Sequence, residues 1–254
     1  MVKFFTLPPI EVPYPYVLLN ARNPAIDYVI KYRGFIREVI IDSGVEIFRN
    51  PSVKDYPKGW FEHLASLFKR VKQLVPHTTV WATVPDYPDD YHPKSLWVDG
   101  KTNIERTLDN ILYALSNYPE VNWLIPVQGH NSKPESVVYT LELYSRNDIP
   151  LDRYIAVANL CVERRDEVIV RTIKLVHSWL MKNGIIPKIH VFGPDISAIM
   201  KIKQYITSFD STAWTKPRVS GYWSAKNSRE RVWLFLTFIH RYAHLIELPY
   251  EVIE

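Results

Sequence analysis

Two aspartates of this sequence each follow an apolar run, and aspartates are a residue type that can act as a catalytic pair. Asp42 ends the run "VIID" and precedes Ser43 and Gly44, and Asp210 follows "ITSF". Two carboxyl groups in one site can supply a nucleophile and a general acid/base. An aspartate at the end of a strand can equally cap the helix that follows it. Taken singly, each aspartate therefore allows both interpretations.

Three more polar residues end apolar runs in the same manner. They are Asp86 in "VPDYP", Gln128 in "IPVQGH" and Asn159 in "YIAVANLCV". Polar groups at five separate strand ends would be costly to bury without partners. The set as a whole therefore favours a shared site over five independent caps.

The elements that must position these residues are short strands alternating with helices. Strands are predicted at 16–20, 39–44, 79–86, 123–129, 154–160, 188–193 and 206–211, with an eighth weakly marked after 211. Helical apolar spacing occurs at 59–75, 101–117, 133–146, 163–183 and 195–205. This alternation predicts an α/β fold, a single (β/α)8 TIM-type barrel domain over residues 1–254, whose strand ends converge on one mouth. The runner-up, a doubly wound open sheet, lacks its glycine-rich first turn, since "LNARNP" follows the strand at 16–20.

Composition narrows the class of protein. The chain has 254 residues, of which 47% are hydrophobic and 23% charged, as in soluble globular proteins. A single cysteine, Cys161 in an apolar run, excludes an internal disulfide and a cysteine-based zinc site and predicts a buried, inert thiol. The start "MVKFFTLPPIEV" is too short and proline-broken for a signal peptide, and no apolar run approaches the ~18 residues of a membrane span. We expect an intracellular, cytoplasmic protein without membrane attachment.

Two weaker motifs could bind metals. "HRYAH" places His240 and His244 four residues apart, but it lacks the glutamate of the zinc-protease motif. "DYPDDYH", at 86–92, could hold a hard cation, although its prolines and tyrosines favour a rigid loop. We expect no metal site and no cofactor.

Positive charge is concentrated near the end of the chain. Residues 211–241 contain six basic residues and one acid, with aromatic residues interleaved. Cations with flat aromatic rings suit a surface that follows a phosphate backbone and stacks on bases. The predicted nucleic-acid-binding residues are Trp214, Lys216, Arg218, Lys226 and Arg229. The alternative is a solvated helix face with aromatics in the core.

The ordered strand-end motifs resemble the tRNA-guanine transglycosylase superfamily, including its members that insert 7-deazaguanines into DNA. "IDSGVEIF" is similar to the segment that carries the general acid/base, which implies this role for Asp42 and a base-binding role for Ser43. "SFDST" is similar to the segment with the nucleophile, which implies Asp210. The remaining motifs are similar to the segments that bind or stack on the base. They imply that Asp86 is an acceptor and Gln128 a donor for the edge of the base, that Asn159 and Leu160 line its pocket and that Phe192, in "HVFGPD", stacks on it.

The sequence also departs from that family. Val45 and Glu46 stand where the family has a second glycine and an aromatic residue, so Phe48 or Tyr87 would have to be the second stacking partner. Ala158 and Asn159 replace a glycine pair, and the family's zinc site is missing. The appended RNA-binding domains of archaeal members are missing as well, which leaves the basic stretch as the expected nucleic-acid contact.

The resemblance implies replacement of guanine by a 7-deazaguanine base in DNA or tRNA through a covalent aspartyl–sugar intermediate. The partners would be a nucleic acid, with DNA favoured over tRNA, and the free 7-deazaguanine base; a homodimer is compatible with the sequence. Two alternatives stay open. One is a metal-dependent barrel phosphoesterase using Asp42, Asp86, Asp210 and a histidine, and the other is a nucleic-acid-binding barrel without catalysis.

Overall fold

Eight parallel strands form a closed ring, in the order β1-β8-β7-β6-β5-β4-β3-β2. The computed structural model describes residues 1–8, 11–89, 97–130, 133–161, 163, 165–215 and 227–248. The strands are β1 Lys3–Phe5, β2 Tyr16–Asn20, β3 Glu38–Asp42, β4 Thr79–Thr83, β5 Trp123–Val127, β6 Ile155–Val157, β7 Ile189–Val191 and β8 Ser208–Asp210. A parallel bridge between Thr6 and Val17 joins β1 to β2 and closes the ring. The predicted (β/α)8 barrel is confirmed.

The strand that completes the barrel lies at the amino terminus. The prediction of an eighth strand after 211 is wrong, because β1 fills that place and pairs with β8, Phe5 opposite Asp210. Only three residues long, β1 is followed almost at once by Pro8. So short a run shows no periodicity of its own. Its neighbours on both sides determine that it is a strand.

Helices cover the outside of the ring. They are α1 Ile26–Lys31, α2 Trp60–Leu74, α3 Asn103–Asn117, α4 Ser136–Arg146, α5 Asp166–Lys182, α6 Ile196–Ile202 and α7 Ser228–Tyr242. In α2 the buried residues Leu64, Leu67, Phe68 and Val71 recur at helical spacing and form one apolar face. Within the described residues, no helix has the length and apolar character needed to cross a membrane.

The interior of the barrel is filled by side chains that touch across non-neighbouring strands. Lys3 on β1 donates to Glu38 on β3 at 2.6 Å, and the Trp81 ring on β4 packs on Tyr154 beside β6 at 5.3 Å. Phe5 on β1 packs on His190 of β7 at 5.7 Å. Such contacts pass through the lumen, so these residues point inward and fill it as a core.

The carboxyl ends of the strands place the predicted site at one mouth. Asp42 and Asp210 are the last residues of β3 and β8, and Gln128 directly follows β5. Asp86 and Asn159 come three and two residues after β4 and β6. Because all strands run parallel, these positions share one end of the barrel.

Candidate functional site

Asp42 has a strongly perturbed carboxyl group. Burial, followed by the negative charge of Glu46, raises its pKa from the usual 3.8 to about 8. The charges of Asp210 and Asp86 raise it further. The backbone N–H of Gly44 donates to Asp42 Oδ1 at 3.1 Å and opposes the shift. Asp42 is therefore predominantly protonated at neutral pH, as a general acid must be.

The backbone conformation at residue 44 favours glycine over other residue types. Its φ of +85° lies in the left-handed region that glycine adopts without strain. A Cβ there would lie 3.1 Å from Arg22 and 3.3 Å from Trp60. The Asp-Ser-Gly order thus lets the chain turn sharply after β3 and return an N–H to the Asp42 carboxyl group.

Glu46 is a carboxylate of this site that the sequence analysis did not identify. It lies in the 3-10 turn Val45–Arg49, accepts a hydrogen bond from Asn20 Nδ2 and is 4.0 Å from the Arg22 guanidinium. Asn20 ends β2 directly opposite Asp42. A polar residue at the end of "YVLLN" was the signal that pointed to this corner of the mouth.

Asp210 contacts a backbone N–H and a histidine ring through one of its carboxyl oxygens. The N–H of Gly193 donates to Asp210 Oδ1 at 3.0 Å, and His190 Nε2 lies 3.3 Å from the same oxygen. Asp210 is 8% exposed. These contacts hold Oδ1 of the Asp210 carboxyl group in place at the mouth. The sequence analysis missed His190, whose only signal was a polar residue in the apolar strand "IHV".

Asp86 and Ser43 are joined in the wall of the mouth. Ser43 Oγ donates to Asp86 Oδ1 at 3.2 Å, and both residues are buried. The Tyr56 hydroxyl donates to the Asp86 carbonyl at 2.8 Å, and Trp60 Nε1 donates to the Ser43 carbonyl at 2.9 Å. These bonds fix the loops after β3 and β4 to each other.

Neither predicted second stacking partner is free to stack on a base. Phe48 is 1% and Tyr87 5% exposed, and their rings pack on each other at 5.6 Å. The Arg106 guanidinium covers the Tyr87 ring at 3.6 Å. The prediction for this pair is wrong, because the two rings form a small core of their own under the loop.

The orientation of Gln128 contradicts the role of base donor. Its Nε2 donates to the Tyr87 carbonyl at 2.7 Å and to Thr107 Oγ1 at 3.1 Å. The carbonyl can only accept, and the Thr107 hydroxyl already donates to Asn103 O, so the amide nitrogen must face them. Gln128 Oε1 is buried without a hydrogen-bond partner among the described residues. What Gln128 offers a ligand is thus an acceptor.

Asn159 connects two loops of the mouth. Its Nδ2 donates to Gly129 O at 2.7 Å and its Oδ1 accepts from the Asp89 N–H at 2.8 Å. Asn159 has a φ of +67°, and Leu160 beside it is 3% exposed. Half-buried Phe192 packs edge-on against the His190 ring, 4.6 Å away. All three lie at the mouth end, where the predicted base-binding residues were expected.

The predicted nucleic-acid surface is only partly described. Trp214 is 2% exposed, packs on Phe235 at 5.2 Å and donates from Nε1 to Thr6 Oγ1 at 2.7 Å. As a base-stacking residue the prediction for Trp214 is wrong, because its ring is part of the core. Arg229 is exposed in the first turn of α7. Lys216, Arg218 and Lys226 lie outside the described residues.

Neither candidate metal motif forms a set of metal ligands within the described residues. No group of three His, Cys, Asp or Glu side chains there could hold a metal ion. His240 and His244 are exposed on and just after α7, and residues 90–96, which include Asp90 and His92, lie outside the described ranges. Cys161 is half-buried, with its thiol 3.6 Å from Phe192 O.

Comparisons with known proteins do not indicate a function for this chain. No protein-family model matches the sequence, and no curated protein matches it significantly. A variant of the carboxyl transferase domain of Rhizobium etli pyruvate carboxylase, solved with pyruvate, aligns with a TM-score of 0.37 and 10% identity. The alignment covers 93% of this chain and 50% of that one, so this chain spans half the length of that structure. So distant a likeness carries no argument about activity.

Proposed function

We propose that this barrel exchanges a guanine of a nucleic acid for a 7-deazaguanine base. The observation that carries the proposal is the contrast between Asp42 and Asp210. Asp42 has a pKa of about 8, whereas Asp210 Oδ1 accepts a hydrogen bond from the Gly193 N–H and lies 3.3 Å from His190 Nε2. An acid and a nucleophile in one site are what retaining chemistry at a glycosidic carbon needs.

The exchange would take two displacement steps. In the first, Asp210 attacks C1′ of the sugar, the bond from C1′ to the base breaks, and Asp42 gives its proton to the departing guanine. In the second, the incoming base gives a proton to Asp42 and attacks C1′, which releases Asp210 as a carboxylate. The roles of Asp42 reverse between the steps because the reaction is nearly symmetric.

Acceptors in the wall of the mouth support a purine-like base. Gln128 Oε1, an acceptor, and Thr83 Oγ1, a hydroxyl that can accept or donate, are buried, and neither has a hydrogen-bond partner among the described residues. The Asp86 carboxyl group, joined to Ser43, lies near enough to Asp42 to raise its pKa. Guanine and 7-deazaguanines present several N–H donors along one edge. Acceptors that would otherwise stay unpaired discriminate for such an edge.

A trapping experiment tests the proposal. The protein is incubated with labelled guanine and, separately, with duplex DNA, single-stranded DNA and tRNA, and both label exchange and covalent protein–nucleic-acid adducts are scored. Wild type should form an adduct that a supplied 7-deazaguanine discharges into the strand. Asp210→Asn should bind the same substrate and form no adduct.

A matched control removes a carboxylate from the other end of the barrel. Asp152 is exposed in the loop before β6, beside a cavity at the amino ends of the strands that Lys3 and Glu38 also line. Asp152→Asn should exchange as fast as wild type. Strand cleavage that chelators stop would identify the phosphoesterase, and binding without exchange the non-catalytic barrel. An active Asp210→Asn would overturn the mechanism.

A further inference from the structure

A chain of buried polar groups leads from Tyr154 to the predicted nucleophile. The Tyr154 hydroxyl is hydrogen-bonded to Ser208 Oγ, which is 2.6 Å from His190 Nδ1. His190 Nε2 is 3.3 Å from Asp210 Oδ1. Tyr154 is 4% exposed, and Ser208 and His190 are fully buried. The chain links groups on or beside the three neighbouring strands β6, β7 and β8 inside the barrel.

The partners determine where the hydrogens lie. Ser208 Oγ is the hydrogen-bond partner of the buried Tyr154 hydroxyl in the described structure, so Tyr154 donates its one hydrogen to it. The Ser208 hydrogen is then directed to His190 Nδ1, which must accept. A neutral imidazole that accepts at Nδ1 carries its hydrogen on Nε2, the nitrogen that faces Asp210.

We propose that His190 is a positioning residue, held as its Nε2–H tautomer by Ser208 and Tyr154, that fixes Asp210 Oδ1 and leaves Oδ2 as the attacking oxygen. Gly193 N–H and His190 Nε2 both lie beside Oδ1. No partner of Oδ2 occurs among the described residues. The tautomer follows from the buried chain alone, and only the attack by Oδ2 rests on the proposed function.

The contact between His190 and Asp210 is poorly aligned before substrate binds. Nε2 is within ion-pair distance of Oδ1, yet it makes no well-directed hydrogen bond. A buried N–H without a partner is unfavourable, so a small turn of the carboxylate towards Nε2 would be stabilising. Hydrogen bonds of catalytic groups commonly tighten when the substrate complex forms.

The tautomer is tested by ¹⁵N NMR of the imidazole, which needs no activity. In wild type at neutral pH, His190 should carry its hydrogen on Nε2 and none on Nδ1. Ser208→Ala removes the donor to Nδ1 and should abolish this strict preference. A hydrogen on Nδ1 in wild type, or on both nitrogens, would overturn the proposal whether or not the protein exchanges bases.

The positioning role is tested by the rate of adduct formation. His190→Leu should slow that rate about 10-fold or more and leave the KM for nucleic acid unchanged, since it removes a donor to the reacting group only. His190→Gln, whose amide keeps a donor, should recover part of the loss. Equal rates for His190→Leu and wild type would refute the role. Should His190→Leu not fold, Ser208→Ala gives the same comparison with the ring in place.

Failure of the proposed function has a different signature. If wild type forms no adduct with any nucleic acid, base exchange is wrong, and the NMR result still decides the tautomer. If wild type forms the adduct and the His190 variants do not slow it, base exchange stands and the positioning role falls.

Discussion

Asp42 and Asp210 end strands that lie three steps apart around the barrel, and the charge of Asp210 contributes to the raised pKa of Asp42. When two carboxyl groups interact electrostatically, the repulsion between their charges disfavours ionisation of both at once. Half-buried Asp42, beside Glu46, keeps its proton at neutral pH because its pKa is raised to about 8. Four predictions follow from these and neighbouring contacts.

The first prediction is that Asp42→Asn stabilises the protein at neutral pH. The pKa of Asp42 is about 8 when folded and about 3.8 when exposed. Between these values the unfolded chain loses the proton first, so rising pH favours unfolding; above about 8 the penalty stays constant. Asparagine keeps the acceptor for Gly44 N–H without a titrating group. The difference between the two pKa values corresponds to about 5 kcal/mol at pH 8. Solvent screening at the half-buried carboxyl group reduces it, so the gain should be about 1–3 kcal/mol at pH 8 and vanish near pH 4.

Urea unfolding of both proteins from pH 4 to 9 measures this gain. The matched variant Asp152→Asn, exposed in its loop, should show no pH-dependent difference from wild type. A loss of stability in Asp42→Asn at pH 8 would show that Asp42 is ionised in the folded protein.

The second prediction concerns the orientation of Gln128. Gln128→Met removes the two hydrogen bonds and leaves the buried Tyr87 carbonyl unpaired, which should cost about 2 kcal/mol. Gln128→Glu places a carboxylate oxygen where Nε2 lies, 2.7 Å from that carbonyl, and should cost more at pH 8. At pH 4 the protonated Glu can donate again, so its deficit should shrink. Thermal unfolding at both pH values measures the difference, and a Glu variant as stable as Met at pH 8 would contradict the orientation.

The third prediction separates backbone from side chain at Asn159. Asn159→Ala and Asn159→Gly both lose the bonds to Gly129 and Asp89, but alanine is strained at a φ of +67° and glycine is not. The Asn159→Ala variant should therefore be about 1 kcal/mol less stable than the Asn159→Gly variant. In helices the order is the opposite, with alanine more favourable than glycine. Urea unfolding gives both values, and alanine as the more stable variant would contradict the left-handed conformation.

The fourth prediction concerns nucleic-acid binding at α7. Arg229→Gln should weaken binding and lower the slope of log K against log salt by about 1, as expected for one lost phosphate contact. Trp214→Phe should reduce stability through the lost bond to Thr6 and leave the slope unchanged. Arg153→Gln, exposed beside the cavity at the opposite end, is the control. Fluorescence anisotropy over a salt series measures the slope for each variant. An unchanged slope for Arg229→Gln would show that α7 is an ordinary solvated face.

The sequence by itself determined the strands that are buried on both faces and the polar residues at their ends. Runs such as "VII" at 39–41 and "WLIPV" at 123–127 are apolar at every position, and only a sheet covered on both sides accommodates them. Since parallel strands end together, Asp42, Asp86, Gln128 and Asp210 could be assigned to one mouth before any coordinates. The motif order that resembles the transglycosylases rests on the same residues.

Tertiary structure alone decided which atoms those residues present. The three residues of β1 become a strand because β2 and β8 supply hydrogen-bond partners on both sides. Trp214 enters the core because it packs on Phe235 and donates to Thr6, although the basic residues Lys216 and Arg218 follow it closely in the sequence. Gln128 directs its amide nitrogen to the Tyr87 carbonyl, 41 residues away in the sequence. His190 lies against Asp210, 20 residues away in the sequence. Hydrogen-bond direction and burial depend on such distant partners, and local sequence carries no record of them.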